Sequence, residues 1–275
     1  MQWYNFHTHC HLDDGKMPLE NYAIEAIRNN MAALGFSAHA PLPLENEWSL
    51  TNESFKAYVL EARLVKEKFK NQIPIYVSME MDYIPGLTKD FAQWVKEGNL
   101  DYTLGSIHLV KNPDGNGHWF IDGPEDGYLI GARDLFNMDF KKAVKAFYDQ
   151  SIGMIKTQKP QIIGHLDKVK MYNREKWFSE NDKWYHELVY KLLDEIKTAG
   201  TIVEVNTRGK YSGKTDALFP SPWIIKACVE MDIPLMLSAD AHHPSQLCML
   251  FDETTEILRN CGCTKTKTPF FEQYF

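Results

Sequence analysis

Cysteine is scarce here and badly placed for its usual structural jobs. The five residues, Cys10, Cys228, Cys248, Cys261 and Cys263, are odd in number and contain no Cys-x-x-Cys pair. That excludes a disulfide framework and a structural zinc knuckle. Cys261 and Cys263 read as free thiols, while Cys10 stands beside candidate metal ligands. Positive charge is also in deficit, with 30 Lys+Arg against 37 Asp+Glu and a formal net charge of -7. A dedicated nucleic-acid binder with a basic surface is therefore not expected. A small phosphate ester stays open, because bound cations reverse the local field. The longest apolar runs are too short for a bilayer, and the start shows no basic stretch followed by an apolar core. No membrane partner is expected, and the expected location is cytoplasmic. Repeats, low-complexity tracts and linkers are missing as well, so residues 1–275 read as one domain.

What is present is an ordinary globular composition, 44% apolar and 24% charged, enough to fill a large core. The apolar pattern alternates between strand and helix. Strands are predicted at about 2–7, 36–39, 73–81, 102–108, 161–165, 201–206 and 234–240. Helices are predicted at about 18–34, 53–69, 87–96, 140–156, 182–198, 222–231 and 245–259. Pro18 suits a first helical turn and Gly35 a stop. Such alternation calls for a parallel sheet, and this many repeats at this length favour a closed barrel. The rhythm breaks over 110–138, where two Asp/Asn-Gly-Pro clusters signal turns. A long excursion of this kind is more often functional than idle.

The strand ends carry the chemistry. His7-Thr8-His9 follows the first strand, and residues two apart share a face, so both imidazoles can grip one ion. His39 closes the second strand, Glu80 the third, His108 the fourth, His165 the fifth and Asp240-Ala241-His242 the last. Any one of these, alone, reads as a hydrogen-bonded structural group. Their recurrence at successive strand ends does not serve core packing. It suits a polynuclear metal site at the C-terminal mouth of a barrel, where barrel enzymes keep their chemistry. Imidazole and carboxylate without thiolate suit zinc, manganese or iron.

His7-x-His9, Asp14-Gly15, His39-Ala40-Pro41, Glu80, Ser106-Ile107-His108, Gly164-His165 and Asp240-Ala241-His242 together resemble the PHP (polymerase and histidinol phosphatase) superfamily, in order and over the full chain. Gly164-His165-Leu166-Asp167, Glu204-Val205-Asn206-Thr207 and Phe219-Pro220-Ser221-Pro222 resemble its histidinol-phosphatase subfamily. The resemblance implies an α/β fold, a distorted (β/α)7 TIM-like barrel, holding two to three divalent transition-metal ions. It implies His7, His9, Glu80 and Asp240 on a first ion, with Glu80 bridging to a second held by His108 and His165. His39 and His242 would hold a third, with a ligand from the first loop. Asp14 is the best match there, with Asp13 and His11 as competitors. The implied activity is metal-dependent hydrolysis of L-histidinol phosphate in histidine biosynthesis. A PHP phosphoesterase for another small ester and a non-catalytic metal-binding scaffold are the alternatives.

Around that mouth, Arg208 is the preferred phosphate clamp, because a guanidinium offers two parallel hydrogen bonds. Lys210, Lys168 and His243 are further candidate substrate contacts. Asp122, Glu125 and Asp126, on the excursion, are candidates to meet a cationic substrate. His186 reads as a helix-surface residue.

Overall fold

The computed structural model describes residues 2–115 and 117–275. The first strand, β1 (Tyr4–Asn5), is followed by α1 (Leu19–Arg28), β2 (Ala33–Phe36), α2 (Asn52–Phe69), β3 (Ile75–Val77), β4 (Glu80–Asp82), α3 (Phe91–Gly98) and β5 (Leu104–Ser106). The excursion contains β6 (Leu109–Lys111), β7 (His118–Phe120) and α4 (Glu125–Phe136). Then come α5 (Phe140–Gln158), β8 (Ile162–Ile163), α6 (Lys183–Ala199), β9 (Ile202–Asn206), α7 (Arg208–Tyr211), α8 (Pro222–Glu230), β10 (Leu235–Ser238) and α9 (Phe251–Asn260). A terminal hairpin of β11 (Lys265–Lys267) and β12 (Glu272–Tyr274) ends the chain.

The main strands are parallel, as the alternation with helices requires, in one sheet ordered β1-β2-β3 and another ordered β10-β9-β8-β5-β4. Isolated parallel bridges link their edges, Thr8 to Ala241 and His39 to Glu80. His9 donates its amide to the Ala241 carbonyl at 2.9 Å, and Ala241 returns one to His7 at 3.0 Å. Helices pack outside through apolar stripes such as Leu19, Tyr22, Ala23 and Ala26 on α1, the 3–4 spacing of a core-facing helix.

The structure departs from the predicted elements at several places. The second strand lies at Ala33–Phe36 and not 36–39, the third helix at Phe91–Gly98 and not 87–96, and the terminal hairpin falls outside the predicted elements. The first helix stops at Arg28 instead of running to Leu34, because Ala33–Phe36 are all buried and pair with strands on both sides. A continuous apolar run is what a doubly covered parallel strand looks like, and periodicity cannot separate it from a helix end. Gly35 lies inside that strand, where a Cβ would sit 2.4 Å from the Tyr102 hydroxyl and 2.7 Å from the Phe6 ring. The predicted strand 73–81 is broken at Ser78–Met79: β3 pairs with β2 and β4 with β5. Buried hydrogen bonds satisfy the break, from Tyr58 Oη to the Ser78 carbonyl at 2.6 Å and from Ser78 Oγ to the Tyr102 carbonyl at 2.7 Å. The last helix begins at Phe251, not Ser245, after a 3-10 turn at Pro244–Gln246 and a left-handed Leu250 (φ 62°).

Among the described residues, no helix is long and apolar enough to cross a membrane. The excursion is ordered as an antiparallel hairpin, β6 with β7, and a helix. Trp119, fully buried, anchors it by donating Nε1–H to the Tyr128 carbonyl at 2.8 Å.

Candidate metal centre

The predicted ligands converge on Glu80. His7 follows β1, His39 follows β2, His108 follows β5, His165 follows β8, and Asp240 and His242 follow β10, so the parallel sheets deliver them to one end. Glu80 Oε2 lies 3.1 Å from His7 Nε2, 3.5 Å from His9 Nε2 and 3.1 Å from His39 Nδ1. Its Oε1 lies 2.9 Å from His165 Nε2 and 3.6 Å from His108 Nε2. Asp240 Oδ1 is 3.2 Å from His9 Nε2 and 3.7 Å from His7 Nε2. Each of these ligand side chains is buried.

The three first-loop candidates differ in position. Asp14 Oδ1 is 3.0 Å from His242 Nε2 and 3.9 Å from His39 Nε2. Asp13 instead accepts from His9 Nδ1 at 2.7 Å and from the Cys10 and His39 amides at 2.7 and 3.0 Å. His11 faces Glu61 at 3.8 Å, away from the cluster. Among the described residues, four sets can each bring donor atoms within 4.8 Å of one another: His9, Asp14, His39 and His242; His7, His9 and Asp240; His7, Glu80 and His165; His39, Glu80 and His108. These sets overlap more than the expected partition into three ligand groups, because the two oxygens of Glu80 stand between imidazoles on every side.

A test of fit comes from unmet hydrogen bonding. Among the described residues, His7 Nε2, His9 Nε2, His39 Nδ1, Asp14 Oδ1 and Asp240 Oδ1 are buried without a hydrogen-bond partner. Buried polar atoms are rarely left so, and these point at one another. A divalent cation would satisfy them together, and nitrogen and carboxylate oxygen are suitable donors.

The far ring nitrogens are held by carboxylates. His7 Nδ1 faces Glu204 Oε1 at 2.6 Å, His9 faces Asp13, and His108 Nδ1 faces Asp82 Oδ2 at 2.9 Å. With a cation bound, a proton on each Nδ1 would leave Nε2 as the inward lone pair, the arrangement that fixes tautomer and orientation in metal sites. Glu204 also accepts the His165 amide at 2.8 Å, and Ser106 Oγ donates to Glu80 Oε1 at 2.6 Å. Asp82 escaped the sequence reading, although it lies two residues beyond Glu80 and so shares its strand face. Gly164 is required just before His165, since a Cβ there would meet Ser106 Oγ at 2.5 Å. His165 (φ 23°) and Asp240 (φ 51°) adopt left-handed backbone conformations, strain of the sort concentrated at functional sites.

Electrostatics follow from this crowding. Burial alone would depress the His7 and His9 imidazoles, but nearby carboxylates reverse it: Asp240, Glu204 and Glu80 hold His7 well above the usual histidine range, and Asp13 carries His9 to about 10. His39 is pushed down to about 4 by burial, only partly opposed by Glu80. Burial would raise Glu80 and Asp240, yet the imidazoles, His7 foremost, hold both well below the carboxylate range.

The predicted substrate contacts divide. Arg208, half-buried, donates Nη1–H to the Asp240 carbonyl at 3.2 Å, beside the cluster. Lys168 is buried, with Nζ 2.8 Å from Asp122 Oδ2, which in turn lies 3.9 Å from His108 Nε2. Lys210 pairs with Glu253, and exposed His243 caps the following turn through Ser245 at 2.8 Å, so neither joins the cluster. Of the excursion acids, Asp122 also meets Lys214 Nζ at 3.0 Å, Glu125 pairs with Lys176 at 3.3 Å, and Asp126 is exposed on α4. Two of the three excursion acids are thus ion-paired with lysines, and the third is exposed. His186 lies on α6, stacked 4.2 Å from the Trp223 ring.

Parallel strands feeding a buried imidazole–carboxylate cluster at one end define an α/β protein with a candidate multi-metal centre. The chain belongs to the PHP domain family, whose model matches residues 4–208; Asp240 and His242 lie beyond that match. It is 26% identical over 243 residues to a Deinococcus radiodurans protein described as a probable histidinol-phosphatase, covering 88% of this chain and 86% of that one. Among solved structures, it matches the HisK protein of Listeria monocytogenes with a TM-score of 0.81 at 19% identity, covering 91% and 99% of the two chains. It also matches the Lactococcus lactis histidinol phosphate phosphatase crystallised with zinc, L-histidinol and phosphate, with a TM-score of 0.73 at 17% identity and 99% of each chain covered.

Proposed function

We propose that this protein is a metal-dependent phosphomonoesterase that hydrolyses L-histidinol phosphate to L-histidinol and phosphate. The observation that carries the reading is the set of buried, unpartnered histidine and carboxylate atoms around Glu80, in a chain whose relatives are named for this reaction. The two sheets and their bridging residues Thr8–Ala241 and His39–Glu80 support one domain built as a distorted seven-fold barrel.

In this reading the cluster would take two to three divalent ions, zinc, manganese or iron. His7, His9, Asp240 and Glu80 would hold one, His108 and His165 with Glu80 a second, and Asp14, His39 and His242 a third. When bound, such ions supply an acidified water and screen the charge of phosphoryl oxygens. The chain's own groups do the rest. Glu80 offers one oxygen to each side, which an imidazole cannot do. Asp13, Glu204 and Asp82 keep three imidazoles correctly turned. Arg208, braced by the Asp240 carbonyl and by Tyr211 Oη at 3.4 Å, directs its remaining N–H groups to a phosphoryl oxygen, and Lys168 adds a fixed positive charge.

The test is phosphate release from a panel of small phosphomonoesters after reconstitution with zinc, manganese or iron. Histidinol phosphate should be preferred by kcat/KM, and chelation should abolish turnover. Preference for a nucleotide or sugar phosphate would replace the substrate, and no turnover with any metal would leave a binding scaffold.

A further inference from the structure

We infer that Trp48 recognises the imidazole end of the substrate, a specificity role that rests on the histidinol phosphate reading above. Of the excursion acids, Asp122 is already shared by two lysines and Glu125 is paired. The face beside the cluster is aromatic instead. The Trp48 ring stands edge-to-face with the ligand candidates His39 and His108, with centroids at 4.7 and 5.6 Å. It also lies parallel to Phe120 of the excursion hairpin, 5.7 Å away and within 8°.

Two separate elements thus meet over the cluster, the loop after β2 and the hairpin β6–β7. The loop is built to hold the indole there. Asn46 Oδ1 accepts the amides of Trp48 and Ser49 at 3.2 and 2.8 Å, and its Nδ2 donates to the Leu44 carbonyl at 2.9 Å. Leu50, buried, returns the chain by donating its amide to the His39 carbonyl at 3.1 Å. Trp48 itself is half-buried, so part of it faces solvent at the mouth. A phosphoryl group drawn to the ligands would leave its alcohol portion projecting toward this wall. A flat, partly cationic imidazole, carried by the leaving alcohol, is the group that such a wall favours, through stacking and cation–π attraction.

The experiment compares the metal-loaded wild type with Trp48→Ala, Trp48→Leu and Trp48→Phe, using histidinol phosphate and glycerol phosphate as substrates. In the Ala and Leu variants, kcat/KM for histidinol phosphate should fall about tenfold, mainly through KM, while glycerol phosphate changes by less than about threefold. Trp48→Phe should recover part of the loss. A further readout needs no turnover: the calorimetric Kd of L-histidinol should weaken by a similar factor while that of inorganic phosphate holds. Equal losses for both esters, or a weakened phosphate Kd with lower metal content, would overturn the assignment and make Trp48 a packing residue for His39 and His108. If the wild type does not hydrolyse histidinol phosphate, the proposed function fails by itself. The histidinol Kd series then still decides the role of Trp48.

Discussion

Glu80 is the residue on which the proposed centre would depend most, because each of its oxygens faces imidazoles of different strands. Glu80→Gln keeps the volume and removes the charge. Turnover should fall by orders of magnitude, and elemental analysis should show fewer ions per chain while the circular dichroism spectrum is retained. A near-normal kcat in this variant would place the bridge elsewhere. The carboxylates behind the imidazoles act more mildly. Asp82→Asn and Asp13→Asn should each weaken metal affinity by roughly 10–100-fold, measured by competition with a chromophoric chelator. Most of the candidate ligands were legible in sequence because histidine and acid recur at strand ends without any packing reason. Asp82 and Trp48 were not. Asp82 resembles one more ligand on the Glu80 strand, and Trp48 is an ordinary loop aromatic until folding brings it against His39.

At the scale of elements, parallel strands and the helices between them could be read from alternation. Strand limits could not, because the apolar run of β2 continues the helical spacing of α1 and the break between β3 and β4 depends on Tyr58 of α2 and the Tyr102 carbonyl just before β5. One connection beyond β8 also depends on a tertiary pair. Asp167 and Lys170 are buried, with Oδ2 and Nζ 2.7 Å apart, and Asp167 also accepts the Ser221 amide at 3.0 Å. They fasten the turn that carries His165 and Lys168 to the loop entering α8. Removing Asp167 leaves buried Lys170 with Glu180, 3.5 Å away, as its remaining carboxylate. Asp167→Ala should therefore cost at most the roughly 3–5 kcal/mol of a broken buried pair in chemical denaturation. Replacing both residues by leucine and methionine should cost less than either single change. Additive losses would mean that the two side chains act separately.

For the whole molecule, metal loading, protonation and stability are one linked equilibrium. Without ions, the protons on raised imidazoles balance the carboxylates around them. His7 and His108 are held above the ordinary value of 6.5, and His9 reaches about 10. A group with a raised folded pKa contributes stability that is complete below its unfolded value and is lost as pH rises through the folded value. His39, His165 and His242 are lowered instead, so their contribution is complete above 6.5 and does not change in the alkaline direction. The lowered carboxylates lose their contribution only in acid. Between pH 7 and 9 the raised imidazoles His7, His9 and His108 and the raised thiols, whose ordinary value of 9.0 lies at the edge of this window, act in the same direction, and the chelated protein should become less stable as pH rises. Ions that bind at the same nitrogens displace those protons, so loading should release protons and tighten with pH. The check is thermal unfolding of chelated and loaded protein across this window, with calorimetric metal titrations in two buffers of different ionisation enthalpy. The gap in Tm between the two forms should widen from pH 7 to 9, and the buffer dependence should report proton release. A gap that narrows, or metal uptake without proton release, would show that these imidazoles are neutral before the ions arrive and that the carboxylates around Glu80 are balanced in another way.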